Sequence, residues 1–146
     1  MYEQAQWDVI SFNFGLHNLD NRSASEQTYA ALLTNFTARM TLTKSKLLYI
    51  STTPFMPDRF FGNHVVEDLN AIAQKIVAAA GIPYADLYHN ITAYCGDVYS
   101  SCDLCDDEPA AWPAGSPAGA HCGYHYTPKG YAYIAAFLSD AFRKLL

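Results

Sequence analysis

The run WDVISFNF at residues 7–14 is rich in β-branched and aromatic residues and ends at Gly15. It is too short for a stable helix, so it predicts a buried strand of a parallel sheet. Two further apolar runs have the same character, KLLYIST at residues 46–52 and IPYADLY at residues 82–88. The sequence therefore predicts three strands, each followed by a loop.

Helical patterns separate and follow these strands. Apolar side chains recur at helical spacing over residues 26–41 and again over residues 65–80, where Gly81 marks a helix stop. A third helix is predicted over residues 127–146, with Thr127 as its N-cap. This alternation predicts an α/β fold of three layers, in which helices cover both faces of a mostly parallel sheet.

The composition sets the size of the domain and excludes some partners. A chain of 146 residues with 51% hydrophobic residues can form one core, so residues 1–146 are interpreted as a single domain. Charged residues make up only 16% and the formal net charge is -5, which argues against a nucleic-acid partner. No apolar run approaches the ~20 residues of a membrane span.

Sequons and cysteines together favour a secreted parent protein. Asn21, Asn35 and Asn90 each begin an Asn-x-Ser/Thr sequon, which predicts a glycoprotein. Four cysteines, all in the C-terminal half, predict two disulfides whose pairing the spacing leaves open. The segment MYEQAQWDVI has neither a basic nor an apolar signal region, so no signal peptide is expected in this chain.

Polar residues are concentrated where predicted strands end. In an open parallel sheet the ligand site lies outside the carboxyl ends of the strands, so the loops that follow them should converge on one site. One more candidate precedes the last helix, after a long loop predicted over residues 96–126. The candidates are Asn13, Gly15, His17, Asn18, Thr52, Thr53 and His125.

Four segments, in this order, resemble conserved blocks of the SGNH (GDSL-type) hydrolase family. The first resembles the block in which a glycine ends a strand beside the oxyanion hole, and the last resembles the block that carries the catalytic histidine. The middle two resemble a strand with its Thr-Thr-Pro turn and a helix that leads into an Asp-Leu-Tyr strand end. They are FNFGLHNL (12–19), LLYISTTPFMP (47–57), LNAIAQKIVAAAGIPYADLY (69–88) and CGYHYTPKGY (122–131).

The resemblance implies a flavodoxin-like SGNH hydrolase fold and serine esterase chemistry. In that chemistry a serine attacks an ester carbonyl, a histidine takes its proton, and N–H donors hold the oxyanion. His125 matches the general base, and the oxyanion region matches Gly15, His17 and Asn13. The implied substrate is a small-molecule or carbohydrate ester, and no cofactor or metal is implied.

The chain departs from the family pattern at two catalytic positions and at His17, which stands where the family has its oxyanion asparagine, with Asn18 next to it. It contains no Gly-Asp-Ser block, and the strand and helix that would carry this block are missing, so the domain is interpreted as incomplete. The family's aspartate, three residues before the histidine, is replaced by Cys122. Asp106, Asp107 or a backbone carbonyl would then have to orient His125. We expect this polypeptide to be inactive without its serine.

Two other interpretations remain open from the sequence. The spacing Cys102-x-x-Cys105 supplies the ligand types of a zinc site together with Cys95, His121, Cys122 and His125, although the second close pair of a zinc ribbon is missing. The chain is alternatively a degenerate domain that binds a glycan or a protein without catalysis.

Overall fold

The computed structural model describes residues 7–15, 22–54, 62–96, 102–105 and 125–146. Within these residues, three parallel strands form one sheet in the order β1-β2-β3. The strands are β1 (Val9–Phe12), β2 (Lys46–Ile50) and β3 (Tyr84–Ala85). The helices are α1 (Arg22–Met40), α2 (Gly62–Ala79), α3 (Leu87–Cys95) and α4 (Pro128–Arg143). The predicted α/β fold with a parallel sheet is confirmed.

One face of the sheet carries the larger core. The register pairs Ile10 with Leu47 and Phe12 with Tyr49, and since alternate residues of a strand share a face, these four side chains point the same way. Helices α1 and α2 contact each other and cover this face. Their main buried contributions are Tyr29, Leu33, Val66, Leu69, Ala73 and Val77.

The opposite face is covered by other helices. Ile50, one residue beyond Tyr49, packs into a second cluster with Leu87 and Ile91 of α3. Phe137 of α4 joins this cluster, as do other α4 side chains and the segment around Cys102. Helices therefore lie on both faces, which gives the predicted three layers.

The third predicted strand is too long. Only Tyr84 and Ala85 of residues 82–88 pair with β2, and the chain turns into α3 at Leu87. Asp86 is the N-cap of that helix, because its side chain accepts a hydrogen bond from the His89 amide at 3.1 Å. Tyr88 therefore lies in a helix, and the Asp-Leu-Tyr segment is a helix start.

The remaining boundaries differ less. The predicted strands 7–14 and 46–52 are shortened at their ends, and α1 begins four residues before the predicted residue 26. The last helix starts as predicted, with the Thr127 side chain accepting from the Gly130 amide at 3.1 Å. Gly81 ends the α2 region with a left-handed φ of 69°, as its helix-stop interpretation requires.

Much of the predicted loop over residues 96–126 lies outside the described residues. Within the described part, Cys105 and Tyr126 form an isolated antiparallel bridge, so this region contains a short pairing next to His125. None of the described helices is long and apolar enough to cross a lipid bilayer.

Candidate functional site

Asn13 joins the carboxyl ends of β1 and β2. Its side-chain amide donates to the Ile50 carbonyl at 2.7 Å and to Thr52 Oγ1 at 3.3 Å. Both amide hydrogens thus have acceptors on the end of β2. The side chain fixes the relative position of two strand ends, and it could donate to a substrate oxygen only by giving up one of these bonds.

Gly15 follows the end of β1 by three residues and lies at a point of very close approach. A Cβ at this position would overlap Thr52 Oγ1 and lie 3.3 Å from Thr52 Cβ. Thr52 is buried and cannot easily move away, because it also donates from Oγ1 to the Phe14 carbonyl at 3.0 Å. Glycine is therefore the residue that lets the backbone after β1 run against the end of β2.

The Phe14 carbonyl is the centre of a buried hydroxyl network. It accepts from Tyr49 Oη at 2.9 Å and from Tyr29 Oη at 3.0 Å, and these two hydroxyls lie 2.9 Å apart. Burial, reinforced by the neighbouring Tyr49 hydroxyl, raises the pKa of Tyr29. Burial also raises the pKa of Tyr49. Both phenols are consequently neutral donors that hold this carbonyl in place.

Asn70 fixes the backbone of Thr52 in the same region. Its side chain accepts from the Thr52 amide at 2.8 Å and donates to the Thr52 carbonyl at 2.9 Å, and all of these groups are buried. The sequence reasoning missed this residue. The sequence pattern could have identified it. Asn70 follows Val66 by four residues and precedes Ala73 by three, so this polar residue lies on the buried face of α2.

His125 is exposed and lies three residues before the start of α4 at Pro128. The next residue is anchored: Tyr126 is buried in the second core cluster, and its hydroxyl donates to the Pro54 carbonyl at 3.2 Å. Pro54 follows the end of β2 by four residues. The structure thus brings the His125 segment to the same end of the sheet as Thr52.

The segment Cys102–Cys105 contacts Thr127, two residues after His125. The Thr127 amide donates to the Leu104 carbonyl at 3.0 Å, and Thr127 Oγ1 donates to the Asp103 carbonyl at 2.9 Å. Gly130 makes this contact possible, because a Cβ there would overlap the Leu104 carbonyl oxygen and lie 2.9 Å from Tyr126 Cβ. Backbone contacts therefore hold this segment against the start of α4.

An exposed ion pair closes the same contact. Lys129 Nζ donates to Asp103 Oδ2 and, at 2.8 Å, to Tyr94 Oη. The hydrogen bond from Lys129 lowers the pKa of Asp103, and the same bond raises the pKa of Lys129. We call Cys102–Cys105 with Thr127, Lys129 and Gly130 the latch. Because the Asp103 carboxylate is bonded to Lys129, it is not the group that orients His125.

The cysteines of the latch are oxidised. A disulfide joins Cys95 to Cys102, which confirms one predicted cross-link, and Cys105 is also disulfide-bonded. The Sγ atoms of Cys95, Cys102 and Cys105 lie within 4.8 Å of one another. A zinc site needs thiolate ligands, which disulfide sulfurs do not provide. This cluster serves in the structure as a covalent staple.

Some predicted residues cannot be placed. The oxyanion candidate His17 and its neighbour Asn18 lie outside the described residues, as do Cys122, Asp106 and Asp107. The described part of the site consists of Asn13, Gly15, Thr52 and His125. Their segments all meet the carboxyl ends of β1 and β2.

Asp86 and His89 form a carboxylate–imidazole pair. His89 Nδ1 lies 2.7 Å from Asp86 Oδ2, and both side chains are substantially exposed. Nearby, Tyr88 Oη donates to Glu67 Oε1 at 2.7 Å. Since Asp86 caps α3, the pair is explained by the start of that helix.

Comparison with known proteins identifies solved structures with a similar fold. No protein-family model and no curated protein sequence matches the chain. The crystal structure of the lipase/acylhydrolase from Enterococcus faecalis matches it with a TM-score of 0.67 at 19% identity, over 94% of this chain and 62% of that one. The chain shares a lipase/acylhydrolase fold. An alpha/beta hydrolase from the metagenome of Lake Arreo, Spain, matches with a TM-score of 0.64 at 14% identity, over 97% of this chain and 62% of that one.

Both matched structures are longer than this chain. The chain spans 62% of the length of each of the two matched structures. At identities of 19% and 14% the likeness concerns the arrangement of strands and helices. Function must therefore be argued from the residues of the site.

Proposed function

We propose that this chain is the histidine-bearing portion of an SGNH-type serine esterase, with His125 as its general base. The observation that carries the proposal is the anchoring of the His125 segment, through Tyr126 and Pro54, at the carboxyl end of β2. This is the sheet edge at which ligand sites of open parallel sheets are built. The shared lipase/acylhydrolase fold supports the same assignment.

The division of roles follows from esterase chemistry. In the intact enzyme a serine supplied by another segment attacks the ester carbonyl, and His125 accepts its proton and later returns it to the leaving alcohol. The backbone after β1, at Gly15, and the His17 side chain are the proposed oxyanion donors. Asn13 and Thr52 hold this backbone in position.

The described serines of the sheet do not suit the role of nucleophile. Ser51 is 1% exposed and its hydroxyl accepts from the Tyr88 amide at 2.8 Å, so an ester carbonyl cannot reach it. Ser11 lies within β1, before the strand end at which the site is built. We therefore propose that this polypeptide alone does not hydrolyse esters.

We further propose that the parent enzyme acts outside the cell on small-molecule or carbohydrate esters. The oxidised cysteines of the latch fit an oxidising compartment. The exposed position of His125 fits a shallow site that is open to an ester on a larger carbohydrate.

The test begins with the transcript. An in-frame segment encoding a signal peptide and Gly-Asp-Ser upstream of Met1 is expected. In the completed protein, a fluorophosphonate probe should label that serine, and His125→Ala should lower kcat/KM for p-nitrophenyl acetate by roughly 10²-fold or more. Labelling with an unchanged kcat/KM in His125→Ala would remove His125 from the mechanism.

A non-catalytic binding domain is the second candidate. It is favoured because the sequence lacks the serine of a Gly-Asp-Ser block and has Cys122 at the position of the family's aspartate. This candidate predicts that the isolated chain is retained on an immobilised acetylated oligosaccharide, and that His125→Ala weakens the retention. Elution of both proteins in the void volume would eliminate glycan binding.

A further inference from the structure

Helix α1 presents an apolar cleft to solvent. Its rim includes Leu32, 61% exposed, and Phe14, 43% exposed, and Phe36 lies between them and the core. The cleft has a volume of about 380 Å³, and its floor is formed by buried Tyr29 and Leu33. An exposed leucine beside an exposed aromatic ring gives an apolar surface that an attached group could cover.

A glycosylation sequon lies in the wall of this cleft. Asn35 lines the cleft and is exposed, and Asn35-Phe36-Thr37 forms the sequon. On a helix, residues three and four apart are neighbours, so Asn35 stands between Leu32 and Arg39 on one helix face. A group attached to Asn35 Nδ2 would therefore begin at the wall of the cleft, within reach of Leu32.

The sequon at Asn90 has the opposite surroundings. Asn90 Oδ1 is buried without a hydrogen-bond partner in the described part of the chain, and the Asn90 carbonyl accepts from Tyr133 Oη at 3.3 Å. The amide oxygen is thus buried and Asn90 is only partly exposed, whereas Asn35 is exposed. A glycan on Asn90 Nδ2 would begin beside this buried oxygen. The third sequon asparagine, Asn21, lies outside the described residues.

We propose that Asn35 is an N-glycosylation site whose first sugar residues cover the apolar cleft, and that Asn90 is unoccupied in the folded protein. The donor is a lipid-diphosphate-linked oligosaccharide. The Asn35 amide nitrogen forms a bond to the sugar C1, the C1–O bond to the diphosphate breaks, and the nitrogen loses a proton as lipid diphosphate leaves. The apolar C–H faces of the sugars then lie over Phe14 and Leu32.

The sequon can be removed at two independent positions. Asn35→Gln removes the acceptor on an exposed side chain. Thr37 is 2% exposed and its Oγ1 has no partner among the described residues, so Thr37→Val removes the sequon hydroxyl without breaking a hydrogen bond. Thr37→Ser keeps the sequon and is the matched control.

The experiment expresses the full chain behind a cleavable signal peptide in a eukaryotic secretory host. Peptide mapping after enzymatic deglycosylation in heavy-oxygen water scores each asparagine in the secreted and the cell-retained protein. We expect Asn35 to be occupied in the wild-type chain and in Thr37→Ser, and the modification to be lost in Asn35→Gln and Thr37→Val. Any Asn90-modified chains should be confined to the retained fraction.

Two results would overturn the proposal. One is an unmodified Asn35 peptide in both fractions, and the other is secreted protein in which Asn90 is as fully modified as Asn35. Coverage of the cleft has its own readout, the fluorescence of an apolar dye. Asn35→Gln should bind more dye than glycosylated wild type, and a further Leu32→Ser change should reverse the increase. Equal dye binding by the three proteins would show that the glycan leaves the cleft open.

Discussion

The two sides of the candidate site are held by different kinds of interaction. The ends of β1 and β2 are fixed by buried, neutral hydrogen bonds from Tyr29, Tyr49 and Asn70. The His125 side is fixed by the latch, with its disulfide and an exposed ion pair. The first side belongs to the core, so damaging it should weaken the whole fold. Damage to the latch should also lower stability, because α4 packs into the second core cluster, but its local effect should be at His125 and the start of α4.

The largest effect is expected from Gly130→Ala. The new Cβ would overlap the Leu104 backbone oxygen, so the latch or α4 has to shift. Alanine favours a helix by about 1 kcal/mol. We expect the overlap to outweigh this and to lower the free energy of unfolding by roughly 2–3 kcal/mol. Urea denaturation measures it, with Ala132→Ser on the exposed face of α4 as control; equal stability of the two variants would contradict the close contact.

Replacing Cys95 and Cys102 together by serine should have the next largest effect. The disulfide closes a loop with a sequence separation of 7, and its loss should lower the free energy of opening the latch by about 2 kcal/mol. Hydrogen exchange should accelerate at the Thr127 amide, which donates to Leu104, and remain slow in β2. Equal acceleration in β2 would mean that the latch and the sheet are one cooperative unit.

Tyr29→Phe tests the buried side. It removes a hydroxyl bonded to the Phe14 carbonyl and to Tyr49, and should lower the free energy of unfolding by about 1 kcal/mol. Hydrogen exchange at the Thr127 amide, which depends on local opening of the latch, should keep its wild-type rate. Tyr131→Phe, at a side chain that is 54% exposed, is the control and should leave stability unchanged. A Tyr29→Phe protein as stable as this control would show that the hydroxyl network does not stabilise the fold.

The smallest effect is expected from Lys129→Ala, because the pair with Asp103 is exposed to solvent and screened by salt. The pKa of Asp103 is lowered in the folded state, so the pair stabilises the fold above the ordinary value of 3.8 and stops doing so as pH falls through the lowered pKa. The raised pKa of Lys129 places the alkaline loss above 10.5. Denaturation of both proteins between these limits should show a constant, small difference, and a difference that changes near neutral pH would implicate another group.

Local sequence signals predicted most of the fold. Thr127 and Gly81 placed helix ends correctly because capping and left-handed turns depend on the residue itself. The start of α3 was missed, although Asp86 is a standard N-cap residue, because the apolar run through Leu87 and Tyr88 is equally compatible with a strand. The helical spacing of α1 was right but included Leu32, which the structure leaves exposed.

The site was only partly predictable. The rule that loops converge at strand ends selected Asn13, Gly15 and His125 without showing what holds them. The bond from Tyr126 to Pro54 joins residues 72 positions apart, and no local pattern encodes such a contact. Asn13 is a candidate for the oxyanion region, and the sequence did not show that its amide donates to Ile50 and Thr52.

The most direct test compares hydrolysis of an unactivated alkyl acetate, whose poor leaving group prevents direct attack by an exposed imidazole, by the isolated chain and by its His125→Ala variant, both shown to be folded by circular dichroism. A histidine base without a nucleophile has nothing to activate, so the two rates should be equal within error. A wild-type rate clearly above that of His125→Ala would contradict this, because it would require a nucleophile within these 146 residues.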